Sequence, residues 1–281
     1  MNCPLQAVES GWHAALRLGF RKSPQRTVLA ERSHKGPIAV QRPFYPEEDL
    51  CHVYLLHPPG GVAGGDRIDI EAEVAPEASA LATTPGATKF YHSIGPSAVQ
   101  QQVLKVSGGS LEWLPQENIL FPGAKAELAT QVHLTGDAAF IGWEINCLGR
   151  PAIGERFDCG SALFRFSLLR DGLPLLHERL AINGLKQLNA AAGLRGKPVI
   201  ASFYATTWAT TQAEQLAYRV RDLIPEQYRR QLGITLVDGL LIARYLGDST
   251  ETARRLFIEI WKALRPTILH RSPCVPRIWN T

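Results

Sequence analysis

His57-Pro58-Pro59-Gly60-Gly61-Val62-Ala63-Gly64-Gly65-Asp66 puts two prolines and four glycines into ten residues. No helix survives that density. Pro59 fixes its own φ, and Pro58 is pushed toward extended geometry by the proline after it. The glycines permit positive φ or close backbone approach. An apolar run, Leu50 to Leu56, leads in, and an alternating run, Arg67 to Val74, leads out. Both read as strands, so the stretch reads as a tight connection inside a sheet.

The competing reading is a phosphate loop. That needs Gly-x-x-x-x-Gly-Lys-Ser/Thr before a helix, so that amides, lysine and helix N-terminus meet the phosphates. Gly60 and Gly65 have the spacing, but Asp66 occupies the lysine position and the run after it, Arg67 to Val74, has the strand period. A carboxylate there repels phosphate, so nucleotide binding at this loop is rejected.

Outward from the loop, the pattern stays β. Trp12-x-Ala14-x-Leu16-x-Leu18-x-Phe20 alternates strictly, the period of a half-buried strand, and Val99 to Val106 reads as a further alternating strand. Thr27–Ala30, Ile38–Val40, Gln131–Leu134 and Ala138–Ile145 are further strands. Leu163–Leu169 and Leu175–Ile182 flank Asp171-Gly172, and Ile234–Val237 and Leu240–Leu246 flank Asp238-Gly239; both read as hairpins. Asn183 to Gly196 reads as a loop or weak helix. Two helices are convincing. Thr211-x-x-Glu214 is a capping-box signature before a stripe of Ala213, Leu216, Ala217, Val220, Leu223 and Ile224 that ends at Pro225. Asp248 with Glu251 starts the other, whose stripe of Ala253, Leu256, Phe257, Ile260, Trp261 and Leu264 stops at Pro266. The stripes read as core faces, with partner-binding faces as the alternative. The expectation is a mainly β chain: one large domain over residues 1–281, of packed or curved sheets, with two α-helices in the C-terminal third.

Composition agrees. The 281 residues are 45% hydrophobic and 20% charged, with net charge +4, enough to bury a core and too sparsely basic for a nucleic-acid stripe. No apolar run approaches the ~18 residues of a membrane span. Met1 to Gly11 lacks the basic and apolar regions of a leader, so a cytoplasmic chain with reduced thiols is expected. Five cysteines, Cys3, Cys51, Cys147, Cys159 and Cys274, show no C-x-x-C spacing, and neither a disulfide framework nor a zinc knuckle is written here.

Candidate chemistry is scattered. Asp66 has three readings: capping the turn's amides, pairing with a cation near Arg67 or with Lys89, or offering oxygen to a metal. Lys89 reads as a solvated edge charge or a functional cation. Glu112 and Glu117 raise a paired-carboxylate site, although Pro115 between them leaves their separation open. Glu144, Arg150 and Glu155 read as an ion-pair cluster or a recognition surface. Cys51 and His57 share a strand face but lie roughly 20 Å apart if extended, while His52 points the other way. Cys51, His52, His57, Cys147 and Cys159 are soft or imidazole donors for a passing metal ion. Neither Gly-x-Ser-x-Gly nor His-Glu-x-x-His occurs. A hydrolase built on scattered Glu or Cys/His residues is the alternative to a binding protein.

Several segments together resemble the UreD (UreH) family of urease accessory proteins. They are the His57–Asp66 loop; Gly36-Pro37 through Val40-Gln41-Arg42-Pro43-Phe44-Tyr45-Pro46-Glu47; Thr83-Thr84 through Thr88-Lys89-x-Tyr91; Leu111-Glu112-Trp113-x-Pro115-Gln116-Glu117; Gly149-Arg150 through Gly154-Glu155-x-Phe157; and Pro276-Arg277-Ile278-Trp279-x-Thr281. His92 departs from the family's usual arginine and puts a permanent charge there in doubt. The resemblance implies a non-enzymatic chaperone that binds UreF and, through it, the GTPase UreG. The complex then docks on apo-urease and passes nickel through an internal tunnel. It implies no tightly bound cofactor, only nickel in transit, with Asp66, His57, Cys51 and Cys147 as weak ligand candidates. It also marks Gly60, Gly61, Gly65, Asp66, Lys89, Tyr91, Glu112, Glu144, Arg150, Glu155, Arg277 and Trp279 as motif positions with a functional role to test.

Overall fold

The computed structural model describes residues 11–207 and 211–280. Cys3, the N-terminal stretch read for a leader (except Gly11), and Thr281 lie outside the described residues. The described chain opens with an antiparallel pair, β1 (His13–Lys22) and β2 (Thr27–Lys35), and a short β3 (Ala39–Val40). It then winds. β4 (Cys51–Leu56), β5 (Arg67–Val74), β6 (Ser79–Thr83), β7 (Thr88–Phe90), β8 (Ala98–Ser107), β9 (Ser110–Leu114), β10 (Asn118–Leu120), β11 (Lys125–Thr135), β12 (Ala139–Arg150), β13 (Glu155–Arg156) and β14 (Ser161–Arg170) come next in order.

Successive long strands alternate between two sheets. One sheet runs β15-β14-β11-β8-β5-β1-β2, where β15 is Leu173–Asn183, and β14, β11, β8, β5 and β1 are mutually parallel. The other carries β4, β6, β9 and β12 in parallel. Parallel neighbours joined by short crossings make a flattened coil, the architecture of a β-solenoid. Alternation predicts the strands but not this parallel order.

After the Asp171-Gly172 turn, the chain adds α1 (Leu185–Asn189), β16 (Val199–Thr206), α2 (Ala213–Asp222), the hairpin β17 (Leu232–Val237) and β18 (Leu240–Gly247), and α3 (Thr250–Ile268). Both Asp-Gly turns hold two positive φ values, 50° and 79° at Asp171 and Gly172 and 47° and 75° at Asp238 and Gly239. That is the primed-turn geometry the dipeptides favour.

The packing makes two cores. Between the sheets, Leu16, Leu18 and Phe20 pack with Ile68, Val74, Leu104, Val132, Phe164 and Phe166 against Val53, Ala82, Trp113 and Phe140. Behind the second sheet, Leu81, Leu114, Ile141, Trp143 and Ile145 meet Leu256, Phe257, Ile260, Trp261 and Leu264 of α3. β12 is covered on both faces, so its sequence is nearly continuous apolar residues. The α3 stripe is core.

Three details differ from expectation. α2 has no side-chain cap, so the Thr211/Glu214 box does not form, and Leu223 is exposed. α3 is capped by Ser249, whose Oγ accepts from the Thr252 amide at 3.1 Å, not by Asp248. α3 also continues through Pro266 to Ile268. A proline in the last turn removes one amide bond, and burial of Arg265 and Ile268 on either side of it holds the turn.

Candidate functional site

On one side of the coil, the crossings 57–66, 84–97, 115–124 and 151–160 stack on one another. Val62 bonds backbone to backbone with Lys89 and Tyr91, Phe121 with Phe90, Ser93 with Gly123, and Gly123 with Cys159. The Gly-rich loop is the first layer of this stack. Gly60 and Gly65 take φ of 73° and 89°, where only glycine is free of strain. A Cβ on Gly61 would sit 2.1 Å from the Tyr91 ring, so the glycine is the seat of that ring. Asp66 is 5% exposed. Its Oδ2 accepts from the Ala63 amide at 2.7 Å and its Oδ1 from the Trp12 amide at 3.1 Å. It therefore caps the turn, the commonest job of Asp at such places. Arg67 turns instead to Asp69 and Gln101. Tyr91 lies edge-on to Phe121, and the Arg150 guanidinium stacks over Phe121 at 4.5 Å. Glu155 clamps Arg150 through two bonds of 2.7 and 2.5 Å. Lys89 is exposed, and His92 packs on Gly123.

Glu144 is not part of that ion pair. It points between the sheets, where Thr130 Oγ1 donates to its carboxylate at 2.5 Å. Burial pushes Glu144 up to about 7, against the Thr130 bond and with help from the Glu178 charge. It lines two cavities at once. The smaller, about 50 Å³, also holds His57, Gln100, Gln102 and Asn118. The larger, about 360 Å³, also holds Asn146, Glu178, Tyr204 and Arg244. His57 Nε2 is buried without a partner, and its imidazole is held below its ordinary value by burial, with Asp66 opposing. Glu178 accepts from Tyr204 Oη at 2.8 Å and from Arg244. The interior thus carries oxygen and imidazole groups along both cavities, and Arg165, Arg179 and Arg244 also line the larger one.

The remaining donors are elsewhere. Burial raises Cys51 to about 11 and Cys147 to about 12. Both thiols stay protonated at neutral pH, and a thiol is a poor ligand compared with a thiolate. Among the described residues, no three His, Cys, Asp or Glu side chains gather as a metal-holding group.

Glu112 and Glu117 do not pair. Glu112 is fully buried and accepts from Trp261 Nε1 at 2.5 Å and from Arg265 Nε and Nη2, both at 2.9 Å. Arg265, also fully buried, bonds Glu47 at 2.7 and 2.8 Å and the Ser272 carbonyl. His52, on the opposite face from Cys51, completes the cluster through Glu47 at 2.8 Å. Arg271 pairs with Asp49, and Trp279 Nε1 donates to Thr83 Oγ1 at 2.9 Å with its ring against Trp143 and Trp261. This network straps the C-terminal segment to the second sheet, and Arg277 stays exposed. Reading the sequence misses Arg265. Its signal is spacing: it lies four residues after Trp261 on the apolar stripe, where an unpaired charge would be costly.

The profile of the UreD urease accessory protein family matches residues 13–280. The UreD of Alcanivorax borkumensis is 47% identical over 277 residues, covering 96% of this chain and 93% of that one. The UreD of Aliivibrio fischeri strain ES114 is 45% identical over 283 residues, 97% of each chain. The UreD of Klebsiella aerogenes is 41% identical over 285 residues, 99% of this chain and 100% of that one.

Proposed function

The chain belongs to the UreD family of urease accessory proteins, and from that premise we propose that it is a non-enzymatic scaffold of one domain, acting in the cytoplasm. With UreF and the GTPase UreG it delivers nickel to apo-urease. Nickel is its cargo. The observation that carries the reading is the set of polar groups inside the sandwich: His57, Gln102, Asn118, Glu144, Asn146 and Glu178 line two cavities that share Glu144 as a wall. Hard and imidazole donors in series, none gathered into a chelating cluster, bind a divalent ion weakly enough to release it. Asp66 serves this path by fixing the loop beside His57 and is not itself a ligand. GTP chemistry falls to UreG, since the Gly-rich loop carries Asp66 where a phosphate loop needs lysine.

The test is urease activation in cells co-expressing urease, UreF and UreG with or without this chain. The reading expects nickel in urease and activity only with the chain present. Equal nickel loading without it refutes the reading.

A further inference from the structure

The smaller cavity shares a wall with the molecular surface. Thr84, Pro115 and Gln116 line it. The Pro115 carbonyl accepts from Trp143 Nε1 at 2.7 Å, and Thr83, beside Thr84, accepts from Trp279 Nε1. Gln116 Oε1 accepts from Arg254 Nη1. Arg254 and Trp279 belong to a surface groove of about 450 Å³ between α3 and the C-terminal segment. Gln116 therefore faces the cavity and holds a residue of the groove, so the wall there is one side chain thick. At 6% exposure, Gln116 closes it.

The backbone of this wall is tied down from within. The Gln116 amide donates to Thr84 Oγ1 at 2.8 Å. The Gln116 side chain has one protein partner among the described residues, Arg254. Arg254 has no carboxylate partner among them, yet Glu251 stands three residues earlier on α3 and lines the same groove. Side chains three apart on a helix are neighbours. Glu251 is itself exposed and has no ion pair among the described residues. Arg255, four residues after Glu251, is taken by Tyr228 Oη at 2.5 Å. Arg254 thus has two acceptors within reach, Gln116 in the wall and Glu251 at the surface. A charge-assisted bond to the half-buried wall outweighs an exposed ion pair only modestly. The closed arrangement prevails and the open one stays accessible, as a switch requires.

We propose that Gln116 is a gate between the smaller cavity and the α3 groove, and that Arg254 is its latch. Bonded to Gln116, Arg254 holds the gate shut; swung onto Glu251, it releases the Gln116 side chain and joins the cavity to the groove. The proposal rests on the transit reading, to which it adds a second mouth and the side chains that control it. Removing the latch and removing its alternative acceptor then act with opposite signs, although both changes fall within one turn of α3. A bond that only docks α3 on the sheet has no such signature.

The test follows nickel per urease active site over time, by chelator quench and elemental analysis, after the purified complex of this chain with UreF and UreG is mixed with nickel, GTP and apo-urease. Complex yields are matched by gel filtration. Arg254→Ala should raise the loading rate about threefold or more, and Arg254→Lys, which keeps a donor for Gln116 Oε1, should bring it back toward the parent. Glu251→Gln removes the acceptor that draws Arg254 away and should lower the rate by a similar factor. Glu259→Gln, in the same groove and paired with Lys262, is the control and should do neither. If Arg254→Ala does not assemble, Gln116→Ser, which shortens the plug without touching α3, must give the same rise. A rate for the latch-free variant that falls or stays within about twofold of the parent overturns the gate while the transit reading stands. A Glu251→Gln rate equal to the parent's overturns the exchange of Arg254 between its two acceptors, and the proposal with it. A parent complex that loads no nickel overturns both the gate and the transit reading.

Discussion

Replacing Glu144 by Gln should stabilise the protein at pH 8 and do so much less at pH 5. Glu144 is raised from 4.5 to about 7 in the folded chain, chiefly by burial. The unfolded chain gives up this proton near 4.5. Between the two values the folded chain binds more protons, so stability falls as pH rises through that window and the loss is complete above 7. At 1.36 kcal/mol per unit, the shift corresponds to about 3 kcal/mol. Water in the adjoining 360 Å³ cavity screens the charge and makes that an upper value. Gln keeps an oxygen for the Thr130 hydroxyl and carries no charge, so it removes the penalty and keeps the bond. Urea titrations of parent and Glu144→Gln at pH 5 and pH 8 measure the difference. A stability gap that is the same at both pH values would refute the reasoning, because then the carboxylate's charge is not what burial penalises.

Other perturbations probe the rest of the frame. Arg265→Met should cost about 3–5 kcal/mol in urea titration, since it strands two buried or half-buried carboxylates. Adding Glu112→Gln should recover part of that loss, and strict additivity of the two changes would contradict a shared network. Asp66→Asn leaves one of its two bonded amides facing an NH2 group and should cost about 1–3 kcal/mol. It should still support urease activation per folded molecule, and failure to do so in a folded variant would give Asp66 a role beyond capping. The purified chain, free of UreG, should hydrolyse no GTP, and turnover lost on mutating Gly60 or Gly65 would restore the phosphate-loop reading.

Much of the frame is legible in the sequence because burial writes itself as period. The strands around His57–Asp66, both Asp-Gly hairpins and the α3 stripe are where alternation, turn chemistry and helical spacing place them. The parallel order is not legible. Period 2 records which face of a strand is buried but not which strand lies beside it, and crossings such as 107–110 have the composition of hairpin turns. The site residues divide the same way. Asp66 as a turn cap emerges from local chemistry. Nearness in sequence groups Glu144 with Arg150 and Glu155, yet Glu144 sits on a strand face between the sheets while Arg150 lies at the strand's end. Arg265 stays hidden because its partners, Glu47 and Glu112, are 218 and 153 residues away.

The central claim is that nickel reaches urease through the interior that Glu144 divides. Ser202→Trp places a bulky side chain in the larger cavity, away from the stacked crossings. The decisive measurement is nickel bound per urease active site after activation by the complex with UreF and UreG, comparing this variant with the parent chain at matched complex yield. The account predicts normal complex formation with nickel loading near background. Full nickel loading through a complex carrying the blocked interior would contradict it.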